Sequence, residues 1–290
     1  MTVREALNAA EARLRKTGTP DARLDAEYML AEALRAPRLS LLVDKQRPVP
    51  APAAAAFEGM LTRREKREPL QYILGEQGFM GFSFRTDARA LIPRNDTECV
   101  CETALAHLGP GMEALDLCTG SGAIAVALKK LRPAVCWTAT DLSEAALSLA
   151  RENARRLGVE VDFFQGDLFA PLAARRFDLI VSNPPYIPLG EREQLQREVR
   201  MEPEMALFAG ADGLDFYRRI AREAPGHLNP GGYLILEIGD TQFAAVAALL
   251  EAHFEAPRRI RDLNGLDRGV AARLRAEEGK GGNACAGSAV

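Results

Sequence analysis

From residue 113 onward, short apolar runs bounded by turn residues alternate with stretches of helical period, and this alternation restricts the fold more than any other feature. Residues 114–117 precede a helical pattern at 123–131, and residues 136–140 precede another at 144–157; further short runs lie at 161–164, 177–182 and 232–237. Strands separated by helices have to cross over and lie parallel. The expected architecture is therefore α/β: a Rossmann-like, mostly parallel sheet with helices on both faces.

The chain reads differently before residue 70. Val3, Leu7, Ala10 and Leu14 form one apolar stripe at helical spacing, and Leu24, Tyr28, Ala31 and Leu34 form a second. Thr19-Pro20-Asp21 supplies a helix start, with Thr19 as cap and proline in the first helical position. The proline-rich stretch 47–53 reads as a connector to a third helix at 54–65, with Phe57, Met60 and Leu61 facing inward. Residues 71–91, broken by Gly75, Gly78 and Gly81, suggest a hairpin or a glycine-broken bridge. The expected divisions are an N-terminal all-α domain at 1–70, a connecting β-hairpin at 71–95, a sheet domain at 96–276 and a small, polar, disordered tail at 277–290.

Residues 1–70 hold 13 Lys+Arg and 10 Asp+Glu, a net of +3, which leaves −6 of the total −3 for the rest. Such a balance argues against a protein that binds nucleic acid by bulk positive charge. The Arg63-Arg64-Glu65-Lys66-Arg67 stretch reads as a solvated helix end, with a docking face for an acidic partner as its rival reading. No apolar run reaches the ~18 residues that span a bilayer, and charges interrupt the first twenty residues, so neither a membrane segment nor a secretory signal is expected. Cys99, Cys101, Cys118, Cys136 and Cys285 lack CxxC spacing or nearby histidines; they read as reduced cytoplasmic thiols, with no metal site.

Between the first strand and its helix lies Asp116-Leu117-Cys118-Thr119-Gly120-Ser121-Gly122. Its glycines let the backbone approach a ligand, and the following helix offers free amides. Alone, this loop would serve a dinucleotide equally well. Asp116, at the strand end, would repel a pyrophosphate and attract a cation. Asp141, nineteen residues after Gly122, is placed to accept from the hydroxyls of a ribose, and Asp167 from an adenine amine. Individually such acids are often helix caps. Three at successive strand ends suit a nucleoside that carries positive charge, as S-adenosylmethionine does.

The fourth run ends in Asn183-Pro184-Pro185-Tyr186. Two prolines remove two backbone donors and leave carbonyls as acceptors. Asn183 adds a side-chain oxygen and Tyr186 an aromatic face, a set that suits a planar NH2 group on an sp2 carbon. Acceptors on both N–H bonds would orient such a nitrogen toward a methyl group and stabilise its developing charge, while Tyr186 stacks on the plane. No general base is needed before transfer, and none of His107, His227 or His253 lies in the motif.

With these motifs the chain resembles the class I S-adenosylmethionine-dependent methyltransferases that carry an NPPY motif, and within them the release factor glutamine methyltransferases of the HemK type. The likeness spans roughly residues 3–275 and includes Gln71-Tyr72-Ile73-Leu74-Gly75, Ile92-Pro93-Arg94 with Thr97-Glu98, Glu202-Pro203, Asp212-Gly213-Leu214 and Asp262-Leu263-Asn264-Gly265. It implies N5-methylation of the glutamine in the Gly-Gly-Gln motif of bacterial class I peptide-chain release factors in the cytoplasm, with S-adenosylhomocysteine as product. It also implies that the helical domain docks the release factor. The cofactor site would comprise Asp116, Cys118, Thr119, Gly120, Ser121, Gly122, Asp141, Asp167, Leu168 and Asn183. The substrate clamp would be Asn183, Pro184, Pro185 and Tyr186, with Asn183, Pro184 and Tyr186 catalytic. Two departures stand out: Cys118 occupies a position where glycine is common, and Asn95-Asp96 replaces the usual Pro-Glu. Three other readings stay open: a ribosomal-protein glutamine methyltransferase, an adenine N6 methyltransferase of DNA or RNA, and a catalytically idle cofactor-binding module that serves as a docking protein. The last is opposed by the intact NPPY, and the nucleic-acid reading by the lack of a recognition module or basic surface.

Overall fold

In the first helix, α1 (Val3–Lys16), the Thr2 hydroxyl accepts from the Glu5 amide at 3.3 Å, and the Glu5 carboxylate accepts from the Thr2 amide at 2.8 Å. This reciprocal cap satisfies two of the free amides that every helix start leaves. The stripe expected on α1 is buried throughout. The computed structural model describes residues 1–276, so the tail expected at 277–290, with Cys285, lies outside the described residues.

Helix α2 (Ala22–Leu34) corrects half of the second stripe: Ala31 is buried and Leu34 packs against the core, but Leu24 and Tyr28 are 38% and 42% exposed, and Ala22, Ala26, Met29 and Leu30 face the core instead. Its sequence offers two interleaved apolar faces, and the one with small alanines allows closer approach to α1. The helix starts one residue after Asp21, so Thr19-Pro20 lies ahead of it. Beyond α3 (Arg38–Val43), helix α4 (Ala51–Glu65) begins earlier than the proline count suggests, because Pro52 falls in its first turn, where a missing N–H costs nothing. The stretch at 71–74 is helical, α5 (Leu70–Leu74), and stops at Gly75, whose φ of +79° ends it. The hairpin is β1 (Glu76–Phe79) and β2 (Phe82–Arg85).

The remaining elements are α6 (Glu98–Leu105), β3 (Glu113–Leu117), α7 (Ala123–Leu131), β4 (Cys136–Asp141), α8 (Glu144–Leu157), β5 (Asp162–Gln165), β6 (Phe177–Ser182), α9 (Asp215–His227), β7 (Leu228–Glu237), α10 (Phe243–Leu250), β8 (Arg258–Arg261) and β9 (Asp267–Arg273). One seven-stranded sheet has the order β5-β4-β3-β6-β7-β9-β8, in which β3 to β7 run parallel and β9 is antiparallel to both its neighbours. Side chains alternate between the two faces: Ala114, Leu179, Val181 and Ile235 join α6 and α7 in one core, and Leu115, Leu117, Ile180 and Leu234 join α9 and α10 in the other. Burial on both faces explains why these strands read as unbroken apolar runs. The expected strands and helices of this sheet thus stand within a few residues of their places. Among the described residues no helix is long and apolar enough to cross a membrane.

The Arg63–Arg67 stretch is neither a uniformly solvated helix end nor a free docking face. Arg63 pairs with Glu68, and only Lys66 of its basic residues stands in solvent without an ion pair among the described residues. Arg64, 5% exposed, bonds Asp25 at 2.7 Å and Glu198 at 2.8 Å, and Arg67 reaches the other Glu198 oxygen at 2.6 Å. Burial works to raise the Glu198 carboxyl, yet Arg67 and Arg64 outweigh it and hold the value at about 2. The helical unit is thereby tied to the segment that follows the NPPY motif. Arg64→Ala would leave Asp25 buried without its cation; losing one partner of a buried pair costs ~3–5 kcal/mol. Urea unfolding should show that loss, whereas Arg15→Ala, from an exposed pair with Glu11, should change stability by less than ~0.5 kcal/mol.

Candidate active site

The glycine loop is built from beneath by Asp116. Its carboxylate accepts from the Thr119 hydroxyl at 2.6 Å and from the Ala125 amide at 3.1 Å, which ties the strand end to the first turn of α7. Asp116 is fully buried and lies outside the cavity, so it shapes the loop and does not face a ligand cation, contrary to the sequence expectation. Burial raises its carboxyl to about 7 despite the two donors. Gly122, with φ +79°, has no room for a side chain: a Cβ would lie 2.9 Å from that of Ala150. Gly120 is the opposite case, since no atom lies within 4 Å of where its Cβ would be. Its bare backbone faces open space beside the cavity.

That cavity, about 270 Å³, runs along the carboxyl ends of the strands. Cys118, Thr119, Gly120, Ser121, Asp141, Asp167, Leu168, Asn183 and Pro185 line it, whereas Gly122, Pro184 and Tyr186 adjoin lining residues in sequence without being part of the lining. The Asp141 carboxylate accepts from the Gly120 amide and from the Ser143 amide, both at 2.8 Å. These donors fix its plane and leave lone pairs for a ligand. Burial nevertheless raises its carboxyl from the ordinary aspartate value. Asp167 is half-exposed and bonds Arg219 at 2.8 Å. Cys118 takes φ +58°, a left-handed turn that glycine makes without strain, and its side chain packs against the core on the α9–α10 side. The donor set fits an adenosyl cofactor: open backbone at Gly120, an oriented carboxylate at Asp141, and acids where phosphates would be repelled.

At the end of β6, the Asn183 Nδ2 donates to the Thr97 hydroxyl at 3.4 Å, so the Oδ1 is the atom left for another donor. Among the described residues none donates to the Pro184 carbonyl either. The two acceptors expected from the sequence are thus both free. The Tyr186 ring packs partly buried against the α9–α10 core, and burial raises its hydroxyl well above its ordinary value. Its carbonyl is held by Gln242 Nε2 at 3.0 Å, while Gln242 Oε1 accepts from the Gly239 amide at 2.9 Å.

Sequence reasoning assigned no site role to the far wall. It comes from Phe79 of the hairpin, the segment 89–94 and Thr97. Glu202 holds that segment through the Ile92 amide at 2.9 Å and through an ion pair with Arg94, and the Tyr72 hydroxyl bonds the Ala90 carbonyl at 2.9 Å. The signal for this wall was present only as motif likeness, because nothing in its periodicity or charge marks it as a ligand surface.

Fold and site together define a Rossmann-like methyltransferase. The fold is similar to that of a solved methyltransferase from Pyrococcus furiosus: TM-score 0.51 at 21% identity, covering 68% of this chain and 90% of that one, a likeness in fold alone. Residues 5–75 match the model of the PrmC N-terminal domain, and residues 100–202 that of the methyltransferase small domain. The release factor glutamine methyltransferase of Geobacter sulfurreducens is 45% identical over 275 residues, 94% of this chain and 97% of that protein. That of Cereibacter sphaeroides is 48% identical over 278 residues, 94% and 99% respectively. The chain belongs to the release factor glutamine methyltransferase family.

Gly213 offers a test of how tightly the tetrapeptide is held. With φ +76°, a Cβ there would meet the Tyr186 carbonyl oxygen at 2.3 Å and Gln242 Nε2 at 2.9 Å. Gly213→Ala should cost ~1–3 kcal/mol through overpacking and left-handed strain. Thermal unfolding measures this, with Gly190→Ala, which has open space around it, as the control expected to change by less than ~0.5 kcal/mol.

Proposed function

We propose that this protein methylates the side-chain amide nitrogen of the glutamine in the Gly-Gly-Gln motif of bacterial class I peptide-chain release factors, in the cytoplasm, with S-adenosylmethionine as methyl donor and S-adenosylhomocysteine as product. The observation that carries the reading is the pair of free acceptors, Asn183 Oδ1 and the Pro184 carbonyl, at the strand end beside the glycine loop. When bound, the cofactor supplies an electrophilic methyl group on a sulfonium whose sulfur keeps the bonding pair. Asp141 would accept from its ribose, and the Asp167-Leu168 turn would border its adenine. Asn183 and Pro184 would each take one N–H of the glutamine amide. A primary amide is a poor nucleophile because its lone pair is delocalised into the carbonyl. Fixed acceptors hold that lone pair in line and stabilise the positive charge that grows on nitrogen. The methylated nitrogen is acidic enough to release its proton to water, so no resident base is required. The helical unit that matches the family's N-terminal model would dock the release factor.

The deciding experiment offers labelled cofactor to the protein with a purified release factor, with ribosomal proteins, and with total RNA and DNA. Label on the release factor, lost when its Gly-Gly-Gln glutamine is replaced, supports the assignment; label confined to ribosomal protein or nucleic acid overturns it. Asn183→Ala should lower kcat by about 10²-fold, as losing one preorganised polar group does, while calorimetry finds cofactor affinity nearly unchanged. Asp141→Ala should instead weaken cofactor binding by about tenfold or more, the loss expected from removing a charged hydrogen-bond acceptor. Unchanged affinity would remove Asp141 from the ribose role.

A further inference from the structure

We infer that the turn at residues 262–266, between β8 and β9, docks the release factor beside the methylated glutamine, with Leu263 as the apolar anchor. The inference rests on the reading of a release factor as the substrate. None of Asp262, Leu263, Asn264 and Gly265 lines the cavity, so the site described above leaves this motif without a role.

The turn is held by a dense set of hydrogen bonds. The Asp262 carboxylate accepts from the Asn264 amide at 2.8 Å, the Leu266 amide at 3.0 Å and the Arg268 guanidinium at 2.9 Å. The Asp262 amide donates to the Leu266 carbonyl at 3.0 Å, and Gly265, at φ +81°, takes the left-handed position inside the turn. Arg268 also reaches Asp96 at 3.2 Å, next to Thr97 of the cavity wall, so the turn is braced against the site itself. On this frame Leu263 is fully exposed and Leu266 is 44% exposed. A single apolar side chain in solvent is ordinary. Here the hydrogen bonds hold Leu263 away from its own core, and a side chain on a preorganised turn can bury surface on a partner with little further ordering cost.

Position selects the partner. Strand β9 runs antiparallel to β7 with Gly269 opposite Glu237, and Leu236 of β7 lies opposite Ser182 of β6. The chain before Gly269 therefore leaves the sheet at the same edge as Asn183, two strands away, which is roughly 10 Å at the usual strand spacing. Leu266, a few residues before Gly269, stands roughly 10 Å above that edge. A glutamine that reaches Asn183 hangs from a chain passing over the same edge, and about four extended residues to one side of it span the gap to the turn. Met205, which lines the cavity and is 49% exposed, adds a second apolar side chain at the mouth. Arg261 and Arg268 balance Asp262 and Asp267, so the turn carries no net charge to grip a phosphate backbone. Its contact is with apolar protein surface, and the protein that must cross this edge is the one that carries the glutamine.

The test uses the full chain with S-adenosylmethionine and a release factor. Leu263→Ser should raise KM for the release factor by about tenfold or more, the effect of losing one leucine side chain from the buried contact. Saturated kcat and cofactor affinity should stay within about twofold, since Leu263 touches neither the cofactor nor the reacting amide. Leu263→Met, which keeps an apolar side chain of similar size, should recover most of the loss. Photo-crosslinking then identifies what Leu263 covers. With p-benzoylphenylalanine in place of Leu263, the crosslink should fall on the release-factor segment that flanks the Gly-Gly-Gln glutamine. The same replacement of Glu160, exposed at the opposite edge of the sheet ahead of β5, should give none. Wild-type KM in Leu263→Ser, equal impairment in Leu263→Met, or a crosslink from position 263 that is absent, falls elsewhere or joins a second copy of this chain would each overturn the proposal. A wild-type chain that fails to methylate the release factor would defeat the functional assignment instead, whereas normal wild-type turnover with unchanged KM in Leu263→Ser would defeat the docking role alone.

Discussion

The parallel register of β3 with both its neighbours is the constraint on which the site depends. Leu117 pairs with Thr140 of β4 on one side and with Ser182 of β6 on the other. The next residues along each strand therefore emerge at one height: Cys118 opening the glycine loop, Asp141 ending β4, and Asn183 beginning the NPPY motif. A slip of one residue in either pairing would move apolar side chains from core to core and carry the acceptor away from the loop. Register is secured by burial on both faces, since Leu115, Ile180 and Leu234 belong to one core while Ala114, Leu179 and Ile235 belong to the other. The chemistry is thus fixed by side chains that never touch a ligand.

The sheet edge supplies only one wall, and polar side chains from elsewhere hold the other in place. Asn153 on α8 is fully buried; it accepts from the Arg85 amide at 2.8 Å and donates to the Ser121 carbonyl at 2.9 Å. One amide therefore binds the hairpin to the glycine loop. Glu98 accepts from the Met80 amide at 2.6 Å, which ties the hairpin's turn to α6. Glu202 reaches Ile92 and Arg94, and Glu198 reaches Arg64 and Arg67, so the segment after NPPY is anchored both to the far wall and to the helical unit. Each anchor is a carboxylate or amide meeting a backbone N–H, a backbone carbonyl or an arginine, a directional contact that specifies position where apolar packing would not.

Strands β3, β6 and β7 were legible because burial on both faces writes itself as apolar runs, and the crossover helices α7 and α8 because their periods are long; β8 and β9 were not read, since arginines, an aspartate and a glycine break any such run there. The second helix was misread because its sequence contains two possible apolar faces, and only packing against α1 and α4 selects the one with Ala22, Ala26 and Met29. At the site, the order of acids along the chain was visible but their depth was not. Asp116, Asp141 and Asp167 look alike in sequence; the structure buries Asp116 beneath the loop, orients Asp141 at the cavity and pairs the half-exposed Asp167 with Arg219. Thr97 was quoted as part of a motif without a role, since its side-chain contact is with Asn183, 86 positions away.

Backbone strain marks the same edge independently. Among the described residues only six other than glycine have positive φ, and two of them, Cys118 at +58° and Leu168 at +49°, follow β3 and β5 into the cavity. A left-handed turn at a residue with a Cβ costs roughly 1–2 kcal/mol. Both side chains recover part of that cost by packing against the α9–α10 core, where Leu168 is 3% exposed. The two turns bend the chain away from the sheet axis at the points where a cavity has to open. Glycine at Cys118 would relieve the strain but remove a core contact, so the departure from the usual loop residue exchanges backbone ease for packing. Strain that is compensated from behind, at residues that also border the cavity, is the pattern of a loop held open by its own core.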